Sequence, residues 1–230
     1  MSADFDEIGG SYESLVDKSI AFGNQEHGFY TRRKASALVD LATRHLGNPA
    51  RLRVLDIGCG IGLTDRTLAK RFGELHGVDP AEEAVARAIE LNPDVHYRVS
   101  DPGRLPHDDG AFDVAFAICV LHHVEPADRS AFVRDMARVV RPGGLVALFE
   151  HNPRNPLTRL AVSRCEFDEG VRLLGRREAA RSLRAADLTI VERRYLLFFP
   201  FERRWTAPAE RALRAVPLGA QHYVVGRRWH

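Results

Sequence analysis

A doubly wound α/β sheet, built of parallel strands with helices on both faces, is the fold class that residues 50–150 predict. Three observations carry it. Val54–Gly62 is a short apolar strand, broken by one acid, that runs straight into three glycines spaced two apart. The strands that follow finish in an acid, an acid and a pair of histidines. One of them, Phe112–Ile118, is almost continuously apolar, as a central parallel strand buried on both faces should be.

The first of these elements sets the chemistry. Asp56, Gly58, Gly60 and Gly62 sit where a strand should give way to a helix starting near Thr64, a crossing in which glycines let backbone pass close to a ligand. The dinucleotide fingerprint needs its third glycine at position 63, which is Leu63. A carboxylate just ahead of the glycines would also repel a diphosphate. Near a cationic ligand the same Asp56 becomes useful, because it can receive an ammonium directly or through water. The spacing therefore favours a cofactor carrying amine and sulfonium over one carrying diphosphate.

The downstream strands supply the remaining contacts. Glu74–Asp79 followed by Pro80 ends a second strand in a carboxylate, the position from which a βαβ unit hydrogen-bonds ribose hydroxyls. The same Asp79 can cap the helix that follows Pro80. A third strand, about Val95–Val99, leads into Ser100-Asp101-Pro102, and Asp101 can accept a hydrogen bond from an exocyclic amine such as adenine N6. The fourth strand leads into Cys119-Val120-Leu121-His122-His123. All of these lie on the edge where open α/β sheets bind ligands.

On these residues the chain resembles the class I S-adenosylmethionine-dependent methyltransferases of small-molecule type. Val54–Gly62 is similar to that family's first motif, Val78-Asp79-Pro80 to its ribose-binding acid, Asp101 to its adenine contact and Phe112–His123 to its fourth motif. Arg141–Ala147 resembles the turn and fifth strand that follow. The resemblance implies a Rossmann-like, doubly wound seven-stranded sheet, mostly parallel with an antiparallel last strand, and N-terminal lid helices. It implies S-adenosyl-L-methionine as cofactor. Asp56, Gly58, Cys59, Gly60 and Gly62 would hold the methionine end, Asp79 and Pro80 the ribose, and Asp101 and Pro102 the adenine. Cys119 and Val120 would form the floor. The Pro-Pro-aromatic tetrapeptide of base-methylating relatives is missing, with Ile118–Leu121 in its place, which disfavours methylation of nucleobase amines.

Composition fits a soluble enzyme of one α/β domain: 230 residues, 45% hydrophobic and 28% charged. No run approaches the roughly 20 apolar residues of a membrane span, and Met1–Gly10 has no signal-peptide core, so a cytoplasmic location is expected. Cys59, Cys119 and Cys165 lack metal-ligand spacing and read as reduced thiols, and no metal motif is present. Residues 1–140 carry a net charge of −6 and residues 141–230 a net +8. A basic second part can serve nucleic acid, an acidic membrane surface or an anionic small substrate. Its arginines are scattered through expected helices and strands, however, so nucleic acid is the minority reading and a small-molecule substrate the main one. A monomer or homodimer is expected.

Outside the central hundred residues the organisation is less specific. Residues 1–48 have helical apolar spacing and, by the resemblance, would close over the cofactor as a lid, with the main domain spanning 49–230. Tyr12, Phe29 and Tyr30 are candidates to cover the site, Tyr30 against the cofactor's cation. Tyr12 and His27 are candidates to meet the substrate. A substrate loop is expected at about 150–175. Its segment Glu150–Arg159 contains two Asn-Pro pairs that force extended or turn geometry. Asn152, Arg154 and Arg159 could grip a hydroxyl, carboxylate or phosphate. An aromatic and Arg-rich insertion at about 197–218, with a helix over 202–216, is expected between strands six and seven.

Methyl transfer is an in-line displacement in which positioning supplies much of the rate. An alcohol acceptor would need a base, for which His123, His151 and His122 are the candidates. The acceptor is expected to be a small molecule of bacterial biosynthesis. RNA methylation, or a non-methylating reaction such as cyclisation on the same fold, is the alternative.

Overall fold

The computed structural model describes residues 28–101, 103–164, 168, 170–199, 201 and 203–230. Tyr12, His27 and Pro102 lie outside them. Seven strands form one sheet: β1 (Arg53–Ile57), β2 (Glu74–Asp79), β3 (His96–Val99), β4 (Phe112–Ile118), β5 (Val140–His151), β6 (Thr189–Leu196) and β7 (Gln221–Arg227). Their spatial order is β3-β2-β1-β4-β5-β7-β6. The first five pair in parallel, and β7 enters antiparallel between β5 and β6. Chain order reverses between β1 and β4, the switch point at which such sheets open a crevice above their strand ends.

The helices divide between the two faces because the strands are apolar on both. Phe112, Val114, Ala115, Phe116 and Ala117 of β4 are all buried. On one face, β1 Leu55, β4 Ala115 and β5 Val146 pack with Val133 and Met136 of α4 (Arg129–Val139) and Leu183 of α6 (Arg176–Ala185). On the other, Val54, Phe116, Phe149 and Tyr223 pack with Leu38, Leu41 and Ala42 of α1 (Gly28–Leu46). Two short helices, α2 (Asp65–Leu68) and α3 (Glu82–Leu91), follow β1 and β2, and α5 (Pro156–Val162) and α7 (Thr206–Leu213) complete the set.

Three boundaries differ from the sequence expectations. Within 28–46 the expected lid is a helix whose buried face belongs to the sheet's core. The apolar spacing that suggested a cover is equally that of a core helix, and a single strip cannot say which surface it meets. The expected turn at Arg141–Gly144 is part of β5, with a register irregularity opposite Phe112/Val114 and a left-handed Gly143 (φ 82°). The helix of the 197–218 region is confined to Thr206–Leu213.

Some arginines of the basic second part brace the fold. Arg228 Nη1 donates to Ala137, Arg138 and Val140 carbonyls at 3.1, 2.8 and 2.7 Å, satisfying the open C-terminal end of α4. Arg176 lies 4.3 Å from the Tyr195 ring centroid, and Arg172 pairs with Glu178 at 2.6 Å. This reduces the charge free to meet a partner. No helix among the described residues is long and apolar enough to cross a membrane.

The core contact between α1's face and the sheet makes a stability prediction. Phe149 is fully buried, its ring 5.1 Å from that of Tyr223. Phe149→Ala is expected to cost about 3–5 kcal/mol in urea unfolding, since it removes a ring from a packed interior.

Candidate active site

The turn after β1 is held by its own backbone. Gly58 and Cys59 N–H groups both donate to Val78 O, at 2.8 and 3.0 Å, and Gly62 N–H donates to Cys59 O at 3.0 Å. Gly58, Gly60 and Gly62 have φ of 75°, 53° and 72°, a left-handed run that side chains rarely adopt. A Cβ on Gly58 would lie 2.5 Å from Val120 Cγ2, so the loop after β4 sits directly on the turn. A Cβ on Gly60 would meet nothing within 4 Å, which marks the open side of the cradle. Asp79 ties the end of β2 to this turn by accepting from Gly60 N–H at 2.8 Å and Ala81 N–H at 3.0 Å. Burial raises its carboxyl pKa, an effect those two donors partly offset.

Beneath the turn lie two more carboxyls. Asp56 is 3% exposed and Asp65 is fully buried. Tyr97 donates to Asp65 Oδ2 at 2.9 Å, and Asn92 Nδ2 donates to Tyr97 Oη and Gly62 O, each at 3.0 Å. Gly77 in β2 makes room for the Tyr97 ring, which a Cβ there would strike. Asp56 Oδ1 and Asp65 Oδ1 are buried and receive no donor from another described group, while the two carboxyls hydrogen-bond to each other when one carries a proton. Burial pushes Asp56 far up, with Asp65 and Asp79 adding to the effect and Lys34 opposing it. Burial likewise lifts Asp65 to about 6, although the Tyr97 hydrogen bond works against it. Buried acceptors without donors are costly, so this arrangement suits a cation that arrives from outside. Asp65, Tyr97 and Asn92 were not singled out in the sequence. An acid one turn beyond the last glycine was the available signal for Asp65.

The end of β4 carries a second cluster. Cys119 adopts φ 59° and donates its N–H to Phe149 O at 2.8 Å, which turns the chain toward the histidines. His122 Nδ1 lies 2.6 Å from Glu150 Oε2 and its Nε2 3.1 Å from Asp168 Oδ1. Glu150, fully buried, also accepts from Leu121 N–H at 2.9 Å. His123 Nε2 reaches the same Asp168 oxygen at 3.3 Å. Burial pushes His122 down, but the hydrogen bonds to Asp168 and Glu150 outweigh it and lift the imidazole to about 10. Both ring nitrogens are already paired with carboxylates, so His122 is not free to take an acceptor's proton, which corrects its reading as a candidate base. Asp168 is itself held well below the usual carboxylate range, burial being overcome by His122 and His123. His151 sits with its ring 5.5 Å from that of His122 and its Nδ1 3.4 Å from Gln221 Nε2. Burial and the neighbouring His122 cation push it down to about 4, so it stays neutral. His123, with its side chain 34% exposed, and His151 remain the imidazoles able to take a proton.

The other expected site residues divide. Asn152, 1% exposed, donates to Pro217 O and Gly219 O at 3.1 and 2.8 Å and accepts from Arg154 N–H at 3.1 Å. Its amide is spent on holding the loop to residues 217–219, which corrects its substrate-binding reading. Asn155 caps α5 through Leu157 and Thr158 N–H groups. Arg154 is exposed and lines a cavity of about 150 Å³ with Arg176, Arg177 and Tyr195, while Arg159 is exposed on α5. Asp101 and Pro80 are exposed at the ends of β3 and β2. Tyr30 is half-buried, its ring edge-on to Phe29 at 5.3 Å. Burial raises both Cys59 and Cys119, the latter to about 11, which keeps them as unreactive thiols lining the site.

A family described as a methyltransferase domain matches residues 55–148, the stretch that runs from the glycine turn through β5. The chain is 32% identical over 167 residues to a ubiquinone biosynthesis O-methyltransferase of Methylocella silvestris, covering 67% of this chain and 64% of that protein. It is 38% identical over 111 residues to a 2-methyl-6-phytyl-1,4-hydroquinone methyltransferase of Synechocystis sp., covering 46% of this chain and 34% of that protein. The chain thus spans between about a third and two thirds of the length of these relatives. Among solved structures, an S-adenosylmethionine-dependent methyltransferase from Thermotoga maritima matches with a TM-score of 0.67 at 17% identity, over 94% of this chain and 98% of that one. That likeness speaks for the fold. Residues 55–148 thus match a methyltransferase domain, and the seven-stranded sheet with its reversed final strand is the fold of the class I methyltransferases.

The Asp65–Tyr97–Asn92 chain makes the next prediction. Tyr97→Phe removes the phenol that donates to Asp65 Oδ2 and is expected to cost about 1–3 kcal/mol of stability by urea denaturation. A change within error would show that the carboxyl finds another donor.

Proposed function

We propose that the chain transfers a methyl group from S-adenosyl-L-methionine to a small-molecule acceptor. The observation that carries this is the pair of buried carboxyls, Asp56 and Asp65, which share a proton with each other and leave Asp56 Oδ1 and Asp65 Oδ1 without an outside donor, under a glycine turn open at Gly60. They suit the ammonium of that cofactor's amino-acid end, and they would disfavour a diphosphate. The cofactor supplies an electrophilic methyl on a sulfonium.

The chain's own residues account for the rest. Gly58, Cys59, Gly60 and Gly62 form the cradle, Asp79 takes the ribose hydroxyls, and Asp101 takes the adenine amine. Cys119 and Val120 make the floor, and Tyr30 and Lys34 approach from α1. His151 and His123 stand at the end of the sheet beside them, where an acceptor hydroxyl would lose its proton. The segment that follows β5 forms the acceptor side of the site. The Methylocella relative's name speaks of O-methylation in ubiquinone biosynthesis, which supports an oxygen acceptor, and the Synechocystis relative's name speaks of a hydroquinone acceptor. Arg154, Arg176 and Arg177 favour an acceptor that carries negative charge. Thiols kept protonated by burial fit a reducing, cytoplasmic setting.

Calorimetry with S-adenosylhomocysteine tests the cofactor half. Asp79→Ala is expected to weaken binding by about 1–3 kcal/mol, and unchanged affinity would remove that carboxylate from the site. Binding should also strengthen as pH rises through about 6, because an ammonium must displace the proton that burial keeps on Asp65. A flat profile across that range would separate Asp65 from the ligand.

His151→Ala tests the acceptor half. It is expected to lower kcat by about 100-fold or more while leaving S-adenosylhomocysteine affinity within about twofold, as loss of a general base does. Equal loss of both would make His151 a support for the fold or cofactor.

A further inference from the structure

His122 and His123 are adjacent in the chain, yet both direct Nε2 at one oxygen, Asp168 Oδ1, at 3.1 and 3.3 Å. The three donor atoms all lie within 4.8 Å of one another. Around a divalent ion with metal–nitrogen distances of about 2.1 Å, neighbouring ligand atoms stand about 3.0–3.4 Å apart in octahedral or tetrahedral geometry. The two shortest separations fall inside that interval.

The surroundings are those of a metal-binding imidazole. Glu150 Oε2 holds His122 Nδ1 at 2.6 Å, and both side chains are fully buried. A carboxylate on the far ring nitrogen orients such a histidine, and an ion that takes Nε2 displaces the proton that Nε2 shares with Asp168. Glu150 and Asp168 bring two negative charges that one divalent ion would balance. Exposure rises from 0% at His122 to 11% at Asp168 and 34% at His123, so the cluster opens on one side only. Three protein ligands with an open face describe a site that keeps positions for exchangeable oxygen ligands.

We propose that His122, His123 and Asp168 bind a divalent transition ion, with Glu150 positioning His122 from behind. Two imidazoles and one carboxylate select zinc, manganese, cobalt or iron(II) over magnesium and calcium. The ion's use rests on the methyl-transfer reading above: it would hold an acceptor through its oxygen atoms beside His151 and lower the pKa of the bound hydroxyl. The ion site itself does not depend on that reading.

A second group, Glu74, His76 and His96, also brings three donors together and serves as an internal control. Its carboxylate is already shared between Arg53 at 2.8 Å and His76 at 2.6 Å, and His96 is exposed.

The test is cobalt(II) titration of the chelator-treated full chain, read by visible absorption, with S-adenosylhomocysteine calorimetry on the same samples. One equivalent of cobalt should bind saturably and be displaced by zinc but not by magnesium. Asp168→Asn and His123→Ala should each weaken cobalt binding by about tenfold or more, and Glu150→Gln by about 10–100-fold. His96→Ala should leave it unchanged. The variants at positions 168 and 123 should retain S-adenosylhomocysteine binding, which reports that the fold is intact. No saturable band up to about 1 mM cobalt would overturn the proposal. So would a band that survives the Asp168→Asn/His123→Ala double variant, or one lost in His96→Ala. Wild-type chain that binds S-adenosylhomocysteine but not cobalt would sink the ion site alone, and the reverse result would sink the methyl-transfer reading alone.

Discussion

Three carboxyls, Asp56, Asp65 and Asp79, converge on a single backbone turn, and the cost of burying them shapes the whole ligand-binding edge. Two of them have an oxygen with no outside donor and share a proton with each other, and burial raises the pKa of all three. A fold tolerates such a cost when a ligand repays it, because desolvated acceptors without donors are among the more expensive features of an interior. The supporting contacts keep those acids in place. Tyr97 and Asn92 reach across from beyond α3, Gly77 clears the space for the Tyr97 ring, and Asp79 anchors Gly60. Ligand binding and the stability of this edge are therefore linked through the same few groups.

The opposite wall of the crevice follows a different logic. There the charges are already paired: Glu150 and Asp168 enclose His122, and this in turn keeps His151 neutral. The two walls are thus electrostatically complementary to different things, one to an incoming cation, the other to a polar acceptor or an ion bridging to it. Val120, packed against the Gly58 backbone, is the point at which they touch. A change in the loop after β4 would accordingly be felt on both sides.

The residues that brace the acceptor side are far apart in sequence. Asn152 and Asn155 fasten the loop after β5 to the segment ahead of β7, and Gln221 at the start of β7 contacts both Cys119 and His151. The antiparallel entry of β7 between β5 and β6 makes this possible, since it brings its first residue to the same edge as the last residues of β4 and β5. Two arginines of the basic second part, Arg228 and Arg176, are used in similar bracing.

The amino-acid sequence by itself determined the strands of the first half, the left-handed glycine turn and the acids at the strand ends. Those features are local: period-two or continuous apolar runs, and glycines where no Cβ is permitted. It could not assign partners to the acids and imidazoles, because those contacts join residues 28 and 46 positions apart in the case of His122 and 32 apart in that of Asp65 and Tyr97. Asn152 shows the same limit: its residue type suits a ligand or a brace equally, and only the carbonyls of Pro217 and Gly219 made it a brace. Likewise α1 has the apolar stripe of either a cover or a core helix, and its packing on Val54, Phe116 and Phe149 decided for core over residues 28–46. Side-chain roles at this site are set by which strand ends the topology brings together, a quantity that no window of sequence contains.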